Sequence, residues 1–129
     1  DQPRLINLTR PEAGADMTQL PATHVTIIGA PVYAGRVAPA ARARLRRLRS
    51  VGGPAVVVVV YGNRDFEDAL LELRDLGREQ GFRPVAAGAF IGEHSFSTPA
   101  TPIGVGRPDS KDFALARSFG HAARTRLET

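Results

Sequence analysis

Two stretches of the chain are apolar without alternation: Val25-Thr26-Ile27-Ile28-Gly29-Ala30 and Ala55-Val56-Val57-Val58-Val59-Val60. Short, β-branched-rich runs that never break into apolar and polar alternation predict parallel strands covered on both faces. Elsewhere the period changes to that of a helix. Pro39 to Ser50 predicts a helix with a proline in its first turn, Ala41, Leu45 and Leu48 as its buried stripe, and Gly52 and Gly53 ending it. Phe66, Ala69, Leu70, Leu73 and Leu76 keep a 3.6-residue period and predict a second helix, with Asn63 or Asp65 as its cap and Gly81 at its C-terminus.

Phe82 to Ile91 predicts a further strand, with small residues in Val85-Ala86-Ala87-Gly88-Ala89 where a helix can approach closely. Arg4-Leu5-Ile6-Asn7-Leu8 is a short strand candidate ending at Thr9-Arg10-Pro11. The connection that follows, with Pro11, Gly14 and Pro21, has too many breakers for a crossover helix and leaves room for a turn at Asp16 to Leu20. Glu93 to Pro108, with three prolines and three glycines, reads as a long loop of functional or mobile character. Asp109 or Ser110 then caps a terminal helix running towards Leu127, with Phe113, Ala116, Phe119 and Ala123 inward.

Strand, strand, helix, strand, helix, strand, loop, helix is an alternation that argues for a parallel sheet layered by helices, an α/β fold. The 129 residues fit one domain. An apolar fraction of 43% and a charged fraction of 23% are those of a soluble globular chain, and no run approaches the ~20 apolar residues that span a bilayer. No secretory signal is evident at Asp1-Gln2-Pro3-Arg4, so a cytoplasmic location and no membrane partner are expected. The absence of cysteine excludes disulfides, thiolate-held iron–sulfur clusters and a cysteine nucleophile. The net charge of +4 comes almost wholly from arginine, Lys111 being the single lysine. Arg42, Arg44, Arg46, Arg47 and Arg49 form a dense basic cluster, but around a helix whose stripe is apolar they read as a solvated face. No aromatic platform accompanies them, and no nucleic-acid partner is expected.

The candidate chemistry lies in two loops, Pro31-Val32-Tyr33-Ala34-Gly35-Arg36 and Tyr61-Gly62-Asn63-Arg64-Asp65-Phe66. Each follows a buried strand and precedes a helix-like stretch, so both fall at the crevice beyond the carboxyl ends of the strands, where open α/β sheets hold ligands. Two glycine-bearing loops on one edge, each with an aromatic side chain and an arginine, form a clamp for a flat ring with polar edges.

In order along the chain stand Gly29-Ala30-Pro31-Val32-Tyr33-Ala34-Gly35-Arg36, Tyr61-Gly62-Asn63-Arg64-Asp65-Phe66, Glu93-His94-Ser95 and Gly106-Arg107-Pro108-Asp109. In these four motifs the sequence resembles flavodoxin-like proteins of the branch often fused to a ferredoxin domain. The resemblance implies a flavodoxin-like doubly wound parallel sheet in three layers, binding FMN noncovalently and passing electrons to a redox partner protein. It implies cofactor contacts from Pro31, Tyr33, Ala34, Gly35, Arg36, Gly62, Asn63, Arg64, Phe66 and His94. Tyr33 or Phe66 would stack on the ring, and backbone amides near Gly35, Gly62 and Asn63 would bond its polar edge. No side chain is required as a catalytic acid or base.

The chain departs from the family at its start. Flavodoxin-like chains open with a strand and a hydroxyl- and glycine-rich loop that holds the flavin phosphate at a helix N-terminus. Here the first strand and phosphate loop are absent, and FMN retention is expected to be weak or nil. In the strand order 2-1-3-4-5 the absent strand lies between Arg4-to-Leu8 and Val25-to-Ala30. Three readings follow: a fragment whose first ~30 residues lie elsewhere, direct pairing of those two strands, or a second copy filling the gap as a homodimer. An interaction module that keeps the fold without the flavin is the alternative function.

Plainer readings stand beside these. Tyr33 and Tyr61 also fit core or rim aromatics, and Arg36 and Arg64 also fit surface ion pairs. Glu93, His94 and Ser95 are adjacent, whereas a hydrolytic triad is assembled from separated segments. His24, His94 and His121 lack metal-ligand spacing, so no metal site is expected. Gly104-Val105-Gly106 is too short for a dinucleotide fingerprint. Asp65, Glu67, Asp68, Glu72 and Asp75 read as the acidic half of a solvated helix.

Overall fold

The computed structural model describes residues 2–10 and 16–129. Its elements in chain order are β1 (Thr18–Gln19), β2 (Thr26–Tyr33), β3 (Arg36–Val37), α1 (Pro39–Leu45), β4 (Leu48–Arg49), β5 (Pro54–Tyr61), α2 (Ala69–Glu79), β6 (Arg83–Ile91) and α3 (Ser110–Glu128). The two uniformly apolar runs form the adjacent parallel strands β2 and β5, with Ile28 beside Val57 and Pro31 beside Val60. β6 adds in parallel on the far side of β5, where Val58 lies beside Gly88 and Val60 beside Phe90. The sheet order is β3-β2-β5-β6, β3 being antiparallel to β2.

Side chains alternate across a strand, so Ala55, Val57 and Val59 share one face and Val56, Val58 and Val60 the other. The first face carries the core. Val57, Val59 and Leu73 are fully buried there, with Ile28, Ala30, Leu45, Ala69 and Leu76 around them. Each valine, leucine or isoleucine among them contributes about 1.5–3 kcal/mol by burial. The predicted stripe of α2 is the one observed: Ala69, Leu73 and Leu76 are buried, with Phe66 and Leu70 packed against the same cluster. On the opposite face α3 lies over β6, where a Cβ at Gly88 would stand 3.0 Å from the Phe119 ring, and Phe119 meets Phe90 edge-on at 5.4 Å. The small residues of β6 admit that close helix. Helices lie on both faces of a mostly parallel sheet, α2 on the core face and α3 over β6 on the other, and the chain is an α/β protein.

Several expectations are corrected. Arg4 to Leu8 is irregular and pairs with no strand. Ile6 and Leu8 nonetheless pack against the core, and Arg44 donates to the Leu8 and Thr9 carbonyls at 2.7 and 2.8 Å. Direct pairing of that segment with β2 therefore does not occur. Of the connection after it, Pro11 and Gly14 lie outside the described residues, while Thr18 and Gln19 are a strand, parallel to Leu48 and Arg49.

That pairing also shortens the helix expected to reach Ser50, which ends at Leu45. Gln80 secures its end: the side-chain amide donates to the Arg46 and Leu48 carbonyls, both at 2.6 Å. Half-buried Arg49 donates in turn to Gln80 Oε1 at 3.1 Å, so this arginine is structural rather than part of a solvated face. The second helix begins at Ala69 without a side-chain cap. Asp65 instead accepts from the Glu67 amide at 2.9 Å, so neither Asn63 nor Asp65 caps it. On α3, Asp109 is the cap as expected, its side chain accepting from the Lys111 and Asp112 amides at 2.9 and 3.0 Å. Ala123 is buried and Phe119 partly so, but Phe113 is 54% exposed and Ala116 is exposed too, since α3 packs mainly on β6.

Candidate functional site: the loop cluster at the carboxyl ends of β2, β5 and β6

Parallel strands in register deliver their following loops to one edge, and Pro31, Val60 and Phe90 mark that edge on β2, β5 and β6. The first loop is a hairpin rather than a strand-to-helix connection. Tyr33 pairs with Arg36 across a turn made by Ala34 (φ 50°) and Gly35 (φ 73°), and β3 then leads into α1. Gly35 is buried against the second loop, since a Cβ there would fall 2.9 Å from Glu67 Cβ and overlap the Glu67 carboxylate. Its positive φ independently favours glycine. Tyr33 stands on the rim, 62% exposed. Arg36 is ion-paired with Glu72 on α2, whose side chain is only 10% exposed.

In the second loop Asn63 (φ 57°) and Glu67 (φ 40°) hold left-handed backbone, a conformation that asparagine tolerates better than most residues. Asn63 and Arg64 are exposed. Phe66 turns inward instead, packing on the core and meeting Tyr61 edge-on with ring centroids 5.2 Å apart. Of the two aromatic residues expected to stack on a ring, Tyr33 is therefore the one with a free face.

The third loop closes onto the second. Gly92 donates to the Tyr61 carbonyl at 2.9 Å, and His94 lies on Gly62 so closely that a Cβ at 62 would stand 2.8 Å from His94 Cβ. His94 Nδ1 accepts the Phe96 amide at 2.9 Å, which requires an unprotonated Nδ1 and leaves the proton of the neutral ring on Nε2. The expected long loop is thus tied at several points, with Glu93 donating to the Arg107 carbonyl at 2.9 Å and His94 to the Ile103 carbonyl at 3.0 Å. Its exit is fixed by Arg107, which pairs with Asp112 in the first turn of α3 and approaches Asp109 at 3.6 Å. The guanidinium and the Asp109 amide hold the Asp112 carboxyl well below the usual carboxylate range, and the same pairing raises Arg107.

The three loops therefore follow one edge of the sheet, the first leaning on Glu67 through Gly35, the second on the third through Gly62 and His94, with Phe66 withdrawn beneath. Pro31 lies within β2, its carbonyl accepting from Ala38 at 3.0 Å. Glu67 and Glu72, expected on a solvated helix face, are instead what the first loop leans on. Nothing in the acidic pattern distinguished them from Asp68 and Asp75. An open groove of about 300 Å³ runs along that flank of α2, bounded by Arg36, Arg42, Asp68, Glu72, Asp75 and Glu79.

For a flavin, the ring end of the surface offers an exposed aromatic face and turn backbone at positive φ. The phosphate end is less well provided. The helices begin at Ala38, Asp68 and Asp109, the last two acidic, and exposed Arg64 stands in the second loop. Among the described residues no group of three or more histidine and carboxylate side chains could hold a metal ion, and no helix is long and apolar enough to cross a membrane. Comparisons with protein-family models, curated proteins and solved structures gave no match.

Proposed function

We propose that the chain is a flavodoxin-like FMN-binding electron-transfer protein, its isoalloxazine ring held between the first and second loops and serving a redox partner protein. The observation that supports this most directly is the contact of Gly35 with Glu67 and of Gly62 with His94, which gathers the loops carrying the four family-like motifs onto one sheet edge. When bound, the flavin would supply reversible electron uptake. Tyr33 would cover one ring face, the amides around Gly35, Gly62 and Asn63 would bond the polar edge, and His94 would offer its Nε2 proton. Arg64 is free to meet the phosphate, whereas Arg36 is engaged by Glu72.

The test is an FMN titration of the purified chain followed by flavin fluorescence. Tyr33→Ala is expected to weaken binding roughly two- to tenfold, from the ~0.5–1.5 kcal/mol of an aromatic stacking pair, and Asn63→Ala to weaken it as well. Unchanged affinity in both variants overturns the site. The second reading, a module of the same fold that binds no flavin, is favoured by the acidic helix starts Asp68 and Asp109, which repel a phosphate. It expects no FMN binding by any variant.

A further inference from the structure

Ser95 and Phe96 form the tip of the third loop, and a single bond holds them. On either side the loop is tied more firmly. Its stem is closed by the Glu93 and His94 amides, which donate to the Arg107 and Ile103 carbonyls at 2.9 and 3.0 Å. Ser97 is fixed twice, its amide donating to the His94 carbonyl at 2.9 Å and its hydroxyl accepting from the Ile103 amide at 3.0 Å. Between these points, among the described residues, the Phe96 amide bonds only His94 Nδ1, at 2.9 Å, and Ser95 makes no hydrogen bond. The Phe96 ring is 76% exposed, its centroid 5.2 Å from that of the imidazole.

The acceptor in that bond is one that a proton removes. An imidazole whose Nδ1 accepts is neutral, whereas the protonated ring carries N–H on both nitrogens and accepts nothing. Turning the ring over does not restore the bond, since either nitrogen then aims a donor at the Phe96 amide. The neighbouring phenyl ring attracts an imidazolium but offers the amide no substitute acceptor. Histidine is the side chain whose charge ordinarily changes between about pH 5 and 8. The titratable groups of the two loops that meet at half-buried His94 are Tyr61, Arg64, Asp65 and Glu67 on the second and Glu93 and Arg107 on the third, and none of them bonds the imidazole. Asp112, which anchors the exit of the loop through Arg107, is held charged well below this range and is not the sensor.

We propose that His94 is a proton-operated latch: a proton taken at Nδ1 removes the acceptor of the Phe96 amide and frees Ser95 and Phe96, while the stem of the loop stays closed. Two N–H groups cannot face each other at 2.9 Å, so the tip moves when the ring is charged. The loop therefore carries a fixed aromatic side chain at neutral pH and a loose one in mild acid, beside the turn at Gly62 on which the imidazole sits. The latch is a property of the loop and stands whether or not a flavin binds.

Nitrogen-15 relaxation on the whole labelled chain, followed from pH 8 to pH 5 alongside the imidazole proton signals, reads the latch directly. The order parameter of the Phe96 amide should fall from that of ordered backbone, about 0.85, to below about 0.6, with the midpoint of the His94 titration, while the Glu93 amide stays ordered. His94→Asn places an uncharged acceptor where it can bond the backbone two residues on, so Phe96 should remain ordered at pH 5 in that variant. His94→Ala should leave Phe96 loose at pH 8 as well. A Phe96 amide that stays ordered through the His94 titration, loosens with a different midpoint, or loosens equally in His94→Asn overturns the inference.

Discussion

Gly62 and His94 are packed so that the imidazole occupies the space a side chain at 62 would need, with His94 Cβ 2.8 Å from the position of that missing Cβ. The turn after β5 and the long loop after β6 are therefore one unit. Gly62→Ala should force the third loop outward and destabilise the protein by about 1–3 kcal/mol. His94→Ala alone should cost little more than its bond to the Phe96 amide. In the double variant the clash disappears, so its cost should be well below the sum of the two, a coupling read from chemical denaturation of all four proteins.

Gln80 plays the corresponding role on the other side of α2. It is 5% exposed, and its amide supplies the donors for the Arg46 and Leu48 carbonyls at the end of α1. Gln80→Ala leaves those buried acceptors without a partner and should cost about 1–3 kcal/mol. Gln80→Glu replaces the donating amide with a carboxylate that only accepts, and should cost more. Urea midpoints of the two variants, compared at pH 7, decide the order.

The core stripe was legible because its period is dictated by burial alone. Leu73 is wholly buried, and Leu73→Ala should destabilise by about 2–5 kcal/mol. Leu71, two positions earlier and 49% exposed, should lose under 1 kcal/mol on the same truncation. Equal losses would mean that α2 is rotated from the orientation described.

What sequence patterning reached and what it missed divide along the same line. Uniform apolar runs identified β2 and β5, the 3.6-residue period identified α2, and Asp109 announced α3 as its cap. Each of these signals is local. The strand β4 inside an expected helix was hidden, because its partner Thr18–Gln19 lies some thirty residues away and two-residue ladders leave no period. Arg4 to Leu8 has the composition of a strand, but a strand needs an edge to pair with, and composition cannot supply one. At the site, the positions of Tyr33 and Asn63 on one sheet edge followed from the parallel order of the strands. The inward turn of Phe66, the support from Glu67 and Glu72, and the seat of His94 on Gly62 depend on loop conformations that motif spacing does not encode.

Arg107 and Asp112 form a strongly perturbed ionising pair with a stability consequence. The Asp112 carboxyl is bonded by the Arg107 guanidinium and by the Asp109 amide at 2.8 Å, and both favour its charged form. Its value in the folded chain is therefore well below the 3.8 of an unperturbed aspartate, which stands for the unfolded chain. A group depressed on folding stabilises fully above its unfolded value, and the contribution falls away as the pH drops from about 4 towards the folded one. Thermal unfolding between pH 7 and pH 2 should accordingly show an acid-side loss of stability that is smaller in Asp112→Asn, while that variant should be the less stable of the two at neutral pH. The third loop ends at this pair, since Arg107 also accepts the Glu93 amide through its carbonyl at 2.9 Å. Amide exchange at Glu93 and His94 should therefore quicken in Asp112→Asn at pH 7 and in the unmodified chain as the carboxylate is protonated. Were exchange at those two amides indifferent to both changes, the ion pair would be holding α3 alone and not the loop over Gly62.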